Sequence, residues 1–194
     1  MRMVVLLGTM LVLATMSVGG QTATGIHLVD VRFSGDTHSP AVDLSKCAAD
    51  LKSLIYVGPE WLANITHRVR LLCLQENGYF KAAVKASTEQ LHDKHGTHQF
   101  VVTFTIDSGP QYRTGHIGFR NNRVFSEEEL RSMFKLGSGD IFRITKIRMG
   151  LDQIHSAYVE RGYLDFTSVP NTTIDDSHYV ISILIDCDEG KQSR

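Results

Sequence analysis

The sequence of 194 residues lacks the compositional extremes that mark several classes of protein. It carries 20 Lys and Arg against 21 Asp and Glu, and 42% of its residues are hydrophobic. Those proportions exclude a disordered tail, a collagen-like fibre and a disulfide-dense toxin. Residues 21–109 hold eight basic and nine acidic residues, and residues 110–194 hold eleven and twelve. Neither half has the basic excess that phosphate binding needs, so we expect no nucleic-acid partner.

Motifs of nucleophilic and phosphate chemistry are also missing. The sequence contains no G-x-S-x-G elbow and no glycine-rich phosphate loop. Three consecutive carboxylates, Glu127 to Glu129, lie at a predicted helix N-terminus, where the helix dipole favours negative charge. We interpret them as capping residues rather than as an acid/base pair. The sequence therefore predicts a protein that is not an enzyme and that needs no cofactor.

Cysteine is scarce, with Cys47, Cys73 and Cys187 as the three examples. Their spacing includes no C-x-x-C pair, which excludes a thiol-redox site and a zinc knuckle. Cys47 and Cys73 fall on two predicted helices that should pack together, so they are the plausible pair for a disulfide within one domain. The alternative is that both are small core hydrophobes. An odd count leaves one thiol unpaired or available to another chain.

The first 20 residues have the order of a secretory signal peptide. Arg2 is the sole charged residue before Asp30, and an almost purely apolar run extends from Val4 to Val18. A run of this length is shorter than the roughly 20 residues that span a membrane as a helix. We expect cleavage near residues 19–23 and export to a compartment that permits disulfides. An uncleaved membrane anchor is the alternative.

An internal repeat organises the remaining sequence. Three segments recur in the same order at offsets of 86, 84 and 79 residues, which indicates a duplicated unit of about 80–85 residues. The segments are residues 31–35, 75–80 and 102–107, and their counterparts are residues 117–121, 159–164 and 181–186. We name residues 24–109 the first unit and residues 110–190 the second unit, and we predict that each is a domain.

Each unit is predicted to run strand, helix, helix, strand, strand. In the second unit we place strands at 112–120, 163–171 and 179–186, a turn at 172–178, one helix from Ser126 and another ending near Tyr158. In the first unit we place strands at 26–34, 79–89 and 98–107, one helix start at Ser39–Pro40 and a helix over 59–77. The predicted fold class is α+β, with two tandem β-α-α-β-β domains, each a three-stranded mixed sheet covered on one face by two helices.

Paired residues mark the turns of the repeat. Gly35 and Asn121 close the first strand of each unit with a residue that tolerates a left-handed backbone. Gly78 and Gly162 end the second helix of each unit. The aromatic residues that follow these glycines, Tyr79 and Tyr163, are predicted to pack at the helix-to-strand joint. The link at Ser108–Gln111 is too short for independent tumbling, so we expect limited articulation between the units.

These motifs resemble the polypeptide-transport-associated (POTRA) domain. The features are a strand-helix-helix-strand-strand order, an aromatic and a turn residue after strand one, and an N/R-G-Y joint before strand two. The resemblance is strongest in the second unit, at residues 117–125, 139–142, 158–164 and 186–190. It extends to the periplasmic part of BamA-type outer-membrane assembly factors. Those proteins continue into further domains and then a membrane β-barrel, so this chain is expected to be a stand-alone protein or a remnant of a longer one.

The resemblance implies a function and a location. It implies a periplasmic interaction module, peripheral to the outer membrane, that acts in outer-membrane protein assembly or protein transport. The implied partners are outer-membrane β-barrel proteins or a barrel-bearing assembly subunit, with membrane association through these partners alone. A structural scaffold of the envelope is an alternative function.

The resemblance also implies a binding mode. Strand two of each unit lies at a sheet edge in POTRA domains, where partner strands add by β-augmentation. The candidate residues are Lys81, Ala83, Lys85 and Ser87 in the first unit and Asp165, Thr167 and Val169 in the second unit. The alternative is an edge that is protected from pairing, by the lysines in one unit and by Pro170 in the other.

A short histidine-rich turn offers a different hypothesis. His92, His95 and His98 lie close together in the sequence beside Asp93, and imidazole is the commonest protein metal ligand. The turn also contains Lys94, and its spacing fits neither a zincin helix nor a Cys/His knuckle. A solvated turn is the ordinary explanation, and a metal-binding protein is the alternative.

Overall fold

The structure is a computed structural model that describes residues 25–37, 42–94 and 96–193. The predicted signal peptide at residues 1–20, the predicted helix start at Ser39–Pro40 and His95 lie outside the described residues. The described chain forms two sheets, one in each unit, with helices packed against them. The predicted α+β class is confirmed at this level.

The first unit contains a four-stranded sheet in the order β2-β1-β4-β3. Strands β1 and β4 pair in parallel, and the two outer pairs are antiparallel. Its elements are β1 (Ile26–Gly35), α1 (Leu44–Lys52), β2 (Ile55–Tyr56), α2 (Trp61–Arg68), β3 (Ala83–Gln90) and β4 (His98–Asp107). The core lies between the sheet and the helices, where Leu28, Val102 and Phe104 meet Ile65 and Val69.

The prediction of three strands is wrong for the first unit, because β2 is an additional strand. Ile55 and Tyr56 pair with His27 and Ile26 at the edge of β1. A strand of two residues is too short to produce an alternating pattern in the sequence. The second unit has a single bridge at the corresponding place, between Arg113 and Ile141.

The second helix of the first unit is continuous in the chain but changes its winding. After α2, residues Val69–Leu74 form a π-helix and Gln75–Asn77 form a 3₁₀ turn. Val69 and Leu74 are both buried and lie five residues apart, whereas the corresponding buried pair in the second unit, Ile154 and Tyr158, lies four apart. A π-turn accommodates one additional residue while it keeps both side chains in the core.

Cys47 and Cys73 form a disulfide that joins α1 to this π-helix. Of the two interpretations that the sequence allowed for these cysteines, the structure has the disulfide. Cys47 also packs in the core of the first unit. The third cysteine, Cys187, is free and buried.

The second unit contains a three-stranded sheet in the order β5-β7-β6. Strands β5 and β7 pair in parallel, and β6 and β7 pair antiparallel. Its elements are β5 (Arg113–Arg120), α3 (Glu127–Ser132), α4 (Ile144–Glu160), β6 (Thr167–Asp175) and β7 (Val180–Asp188). Helix α3 begins with a complete capping box, in which Ser126 and Glu129 each bond to the backbone N–H of the other.

Strand two of the second unit begins four residues later than predicted. Residues 163–166 form a turn, in which the N–H of Tyr163 donates to the carbonyl of Tyr158. Phe166 is buried and stacks on Tyr158 with ring centroids 3.9 Å apart. The predicted turn at 172–178 is shortened to 176–179, because residues 172–175 continue β6 along a solvent-exposed edge. In the first unit β3 likewise begins at Ala83 rather than at residue 79.

The pairing register corrects the repeat. Ala83 pairs with Asp107, and its counterpart Thr167 pairs with Asp188. The third strands of the two units therefore correspond at an offset of 81 residues rather than 79. A slip of two residues keeps every side chain on the same face of a strand, so the hydrophobic pattern alone does not reveal it.

The two units contact each other directly. Tyr112, which is buried, donates its N–H to the carbonyl of Gly78 at 2.8 Å. The turn between β6 and β7 brings Asp176 against the first unit, where it accepts a hydrogen bond from Lys81 Nζ at 2.6 Å. Asp176 also accepts from Tyr112 Oη of its own unit at 2.5 Å. Glu76 accepts from the N–H of Thr145 at 2.8 Å. These contacts restrict the movement of the two units relative to each other more than the short link alone would.

We predict that removing the disulfide lowers the free energy of unfolding by about 3–4 kcal/mol, because the bond closes a loop over a sequence separation of 26 residues. The test is urea unfolding of the Cys47→Ala, Cys73→Ala double variant beside the oxidised chain. A reductant should destabilise the unsubstituted chain and leave the double variant unchanged. Equal stability of the two oxidised proteins would contradict the prediction.

We predict that Asp176 makes the chain more stable at neutral pH than in acid. The hydrogen bond from Lys81, followed by that from Tyr112, holds the pKa of Asp176 below its ordinary value. The carboxylate therefore adds stability above about pH 4, and this contribution is lost as the pH falls through the lowered pKa. The stability difference between the unsubstituted chain and Asp176→Asn should shrink on acidification.

Urea unfolding from pH 6 down to acid measures this difference. Asp152→Asn, on the exposed surface of α4, is the matched control and should follow the unsubstituted chain. A difference for Asp176→Asn that is absent at neutral pH or grows in acid would refute the prediction.

Candidate functional site

Strand two of each unit lies at an edge of its sheet. Strand β3 pairs with β4 along its whole length, and β6 pairs with β7. Within the described ranges no other strand pairs with the outer side of either. Backbone N–H and C=O groups on that outer side are the groups that an added strand would bond.

The candidate residues of the first unit lie along or just before β3. Ala83, Lys85 and Ser87 alternate on the face of the sheet that is opposite to the helices, and all three are exposed. Lys81 precedes the strand and is bound to Asp176 of the second unit. The structure therefore brings three of the four onto one face of the edge strand and places the fourth at the contact between the units.

The candidate residues of the second unit show a similar division. Thr167 and Val169 lie on the open face of β6, and 59% of the Val169 side chain is exposed. Asp165 precedes the strand and is exposed as well. Nearly every residue of β6 is exposed, so this strand has little cover on either face of the sheet.

A groove runs between α2 and β3 on the helix side of the first sheet, with a volume of about 570 Å³. Its floor is apolar, with Leu62 and Ala63 from the helix facing Val84 and Ala86 from the strand. His67 and Arg70 lie at its rim, with their nearest nitrogens 3.0 Å apart. The groove thus places apolar and polar side chains beside the open backbone of β3.

The sequence analysis missed these groove residues. It assigned the edge to Lys81, Ala83, Lys85 and Ser87, and the last three alternate along β3 with the residues of the groove. A signal was present, because the lining positions of the helix follow its period of 3.6 residues. The full lining is Pro59, Leu62, Ala63, Thr66, His67, Arg70, Val84 and Ala86.

The edge of the second unit differs from that of the first at its centre. Val84 and Ala86 correspond to Ser168 and Pro170, because the two strands have the same register against their neighbours. Proline has no N–H, so β6 offers no backbone donor at this position. In sheets, proline is confined to positions whose N–H would face away from the neighbouring strand, which indicates that the N–H of Ala86 faces outward from β3.

A polar cavity of about 550 Å³ lies beside Asn121, Arg123, Thr167 and Val169 on the second sheet. Its carboxylates already have partners within the unit. Asp186 accepts from Arg120 and Asn121, each at 2.6 Å. The hydrogen bond from Arg120, with that from Asn121, holds the pKa of Asp186 below its ordinary value.

Glu189 in the same cavity fixes the loop that follows β5. It accepts from the N–H groups of Arg123 and Val124 and from the hydroxyl of Tyr158. Burial alone would raise the pKa of Glu189, but these hydrogen bonds outweigh burial and lower it. Burial raises the pKa of the Cys187 thiol to about 11, so it is not a nucleophile at neutral pH. The three hydrogen bonds of Glu189 thus hold this loop against the end of β7 and against α4.

The histidine-rich turn is described in part. His98 Nδ1 lies 2.9 Å from a carboxylate oxygen of Asp93, and His92 is near the same turn. That interaction lowers the pKa of Asp93. The residues that the structure describes contain no group of three or more metal-ligating side chains, and His95 lies outside them. A metal site here stays an untested alternative.

Within the described ranges, no helix has both the length and the apolar character required to cross a membrane.

Comparison with known families finds a match to the second unit. Residues 112–190 match the POTRA family, whose description is "Surface antigen variable number repeat". A 90-residue stretch is 32% identical to a protein of Treponema pallidum (strain Nichols) described as "Putative outer membrane protein assembly factor". That stretch is 45% of this chain and 11% of the relative, so the chain matches a small part of the relative's length.

Solved structures share the fold over most of the chain. POTRA domains 3–5 of BamA from Haemophilus influenzae superpose with a TM-score of 0.62 at 20% identity, covering 88% of this chain and 69% of that one. BamA from Haemophilus ducreyi lacking POTRA domains 1–3 gives a TM-score of 0.61 at 17% identity, covering 84% of this chain and 29% of that one. The predicted resemblance to POTRA domains and to BamA is confirmed.

Proposed function

We propose that this chain is a periplasmic, non-enzymatic interaction module in outer-membrane protein assembly, and that it binds extended segments of its partners at β3. The observation that carries the proposal is the groove between α2 and β3, which has an apolar floor and lies directly beside an open strand edge. The proposed partners are outer-membrane β-barrel proteins or a barrel-bearing assembly subunit, and the chain meets the membrane through them.

The binding mode follows from the chemistry of the two sides of β3. An added strand would bond the outward backbone groups of β3, and its side chains would then point alternately to the two faces of the sheet. Side chains on the helix face would enter the groove beside Val84 and Ala86, whereas those on the open face would lie beside Lys85 and Ser87. Strands of outer-membrane barrels alternate apolar and polar residues, which matches this arrangement.

The first unit is the better binding edge of the two. Strand β6 has Pro170 where β3 has Ala86, so an added strand would lose one hydrogen bond at the centre of the second edge. Lys85 blunts the edge of β3 against indiscriminate pairing, yet its side chain is on the open face and leaves the groove clear. We therefore assign the binding of extended segments to the first unit.

Two further observations support the proposed location. The Cys47–Cys73 disulfide fits an oxidising compartment such as the bacterial periplasm. The relative from Treponema pallidum is described as an assembly factor of the outer membrane. The predicted signal peptide agrees with both.

The test is photo-crosslinking in cells that express the full chain with a photoreactive residue at Lys85. We expect adducts with β-barrel proteins or with a barrel-bearing subunit. Ala86→Pro removes one outward donor, so we expect it to lower the adduct yield roughly fivefold, the effect of about 1 kcal/mol. The substitution should preserve the fold, because Pro170 occupies the corresponding position of β6 in the same register.

A photoreactive residue at Lys52, on the end of α1, is the matched control and should give no barrel adduct. Barrel adducts from Lys52 and Lys85 in equal yield would contradict the proposal, and so would a yield from Lys85 that Ala86→Pro leaves unchanged. Circular dichroism of the purified Ala86→Pro chain checks that both sheets are intact.

A further inference from the structure

The groove beside β3 has an apolar floor but carries basic side chains at one point of its rim. Arg70 Nη2 lies 3.0 Å from Nδ1 of His67, and both side chains are exposed. A guanidinium nitrogen can only donate, so Nδ1 of His67 accepts this hydrogen bond and the ring proton is on Nε2. The other N–H groups of Arg70 and the Nε2–H of His67 are therefore left as donors for a ligand in the groove.

This rim has no acidic neighbour to balance it within the described chain. The groove lining that the structure describes includes no carboxylate, and among the same described residues the Arg70 guanidinium forms no ion pair. A carboxylate ligand would therefore meet an unpaired guanidinium and would displace no existing partner. Arginine is well suited to such a ligand, because its planar fork can bind both carboxylate oxygens at once.

The two rim residues lie toward one end of the groove. The chain turns back between the helix and β3 within residues 78–82, so the helix and the strand run in opposite directions. The later part of the helix therefore lies beside the start of β3. His67 and Arg70 follow Leu62 along the helix, which places them toward the Val84 end of the groove.

The second unit has the opposite charge at the corresponding place. Val69 corresponds to Ile154, so His67 corresponds to Asp152, which is exposed on α4. Arg70 lies in the π-helix, which has no counterpart in α4. The basic rim is therefore a property of the unit whose edge strand borders the groove.

A strand that adds to β3 needs a feature that fixes its register. Side chains of a strand alternate with a period of two, so a slide of two residues leaves the same side chains facing the groove. The apolar floor distinguishes little between these positions, because Leu62, Ala63, Val84 and Ala86 can accept a small apolar side chain in each of them. One charged point toward the end of the groove does distinguish them.

We propose that Arg70, with His67 beside it, binds a carboxylate of the extended segment and thereby fixes the register of that segment on β3. The ligand is a strand of alternating apolar and polar residues, with one carboxylate on the face toward the groove beside Val84. An acidic side chain and a C-terminal carboxylate present the same chemical group. The inference rests on the proposed function, since it requires that a segment adds to β3.

The experiment maps the register of defined peptides on the full chain. The peptides have ten residues that alternate Val and Ser, and both of their ends are blocked. A single Glu replaces the fourth residue in one peptide and the sixth in another, both of them Val, so it stays on the same face. A photoreactive residue at Lys85, on the open face of β3, marks by crosslinking the Ser that lies opposite to it.

We expect the crosslinked Ser to move by two residues between the two peptides, in the same direction as the Glu. Arg70→Gln removes the guanidinium, so it should weaken the binding of both peptides about fivefold and spread the crosslinks over several Ser residues. The concentration dependence of the crosslink yield measures the affinity. Arg68→Gln is the matched control, because Arg68 is also exposed on the helix but does not line the groove, and it should bind like the unsubstituted chain.

A charge exchange tests the chemistry of the rim directly. Arg70→Glu should prefer a peptide with Lys in place of Glu by about fivefold, because the attraction is then restored with its signs exchanged. A Val and Ser peptide without Glu, with either a free C-terminal carboxylate or an amide, separates the two sources of the group. Tighter binding of the free acid that Arg70→Gln abolishes would assign the site to a chain end as well, whereas equal binding of acid and amide would assign it to acidic side chains.

Two kinds of failure are distinguishable. Crosslinks to Lys85 whose position ignores the Glu, or an affinity that Arg70→Gln leaves unchanged, would overturn this inference and leave strand addition at β3 intact. The absence of a crosslink from every peptide would overturn strand addition itself, and the inference with it.

Discussion

The hydrogen bond from the N–H of Tyr112 to the carbonyl of Gly78 sets the relation between the two units, and much of the structure depends on it. Gly78 has a φ of 86°, and a Cβ atom there would lie 2.9 Å from the carbonyl oxygen of Tyr112. The close approach therefore requires glycine. This close approach brings Asp176 within reach of Lys81. Together these contacts hold the second unit against the residues of the first unit that precede β3.

This joint lies between the proposed binding groove of the first unit and the surface that contacts the second unit. The groove beside β3 lies on the helix side of the first sheet, lined by Leu62 and Val84, and is available to an extended partner. The end of the first unit, at Phe80, is the surface on which the second unit rests. Repetition of one fold thus provides both a strand edge and a stacking surface, and small changes in sequence make each copy distinct.

Local signals in the sequence were sufficient for much of the fold. The capping box of Ser126 and Glu129 and the alternation of β4 both arise from neighbouring residues, and both are observed. Features that depend on partners distant in the chain were missed. Strand β2 exists because Ile55 meets His27, and the groove exists because α2 lies over β3. The sequence repeat indicated which segments of the two units correspond. The exact offset between their third strands could be read only from the strand pairing.

The most direct test of the joint is a distance measurement by pulsed electron paramagnetic resonance between spin labels at Lys52→Cys and Ser156→Cys, one in each unit. The account predicts a single narrow distance distribution that broadens in the Tyr112→Ala variant, because that variant loses the hydroxyl bound by Asp176 and the ring beside Phe80. A distribution that is already broad in the unsubstituted chain, and that Tyr112→Ala leaves unchanged, would contradict it.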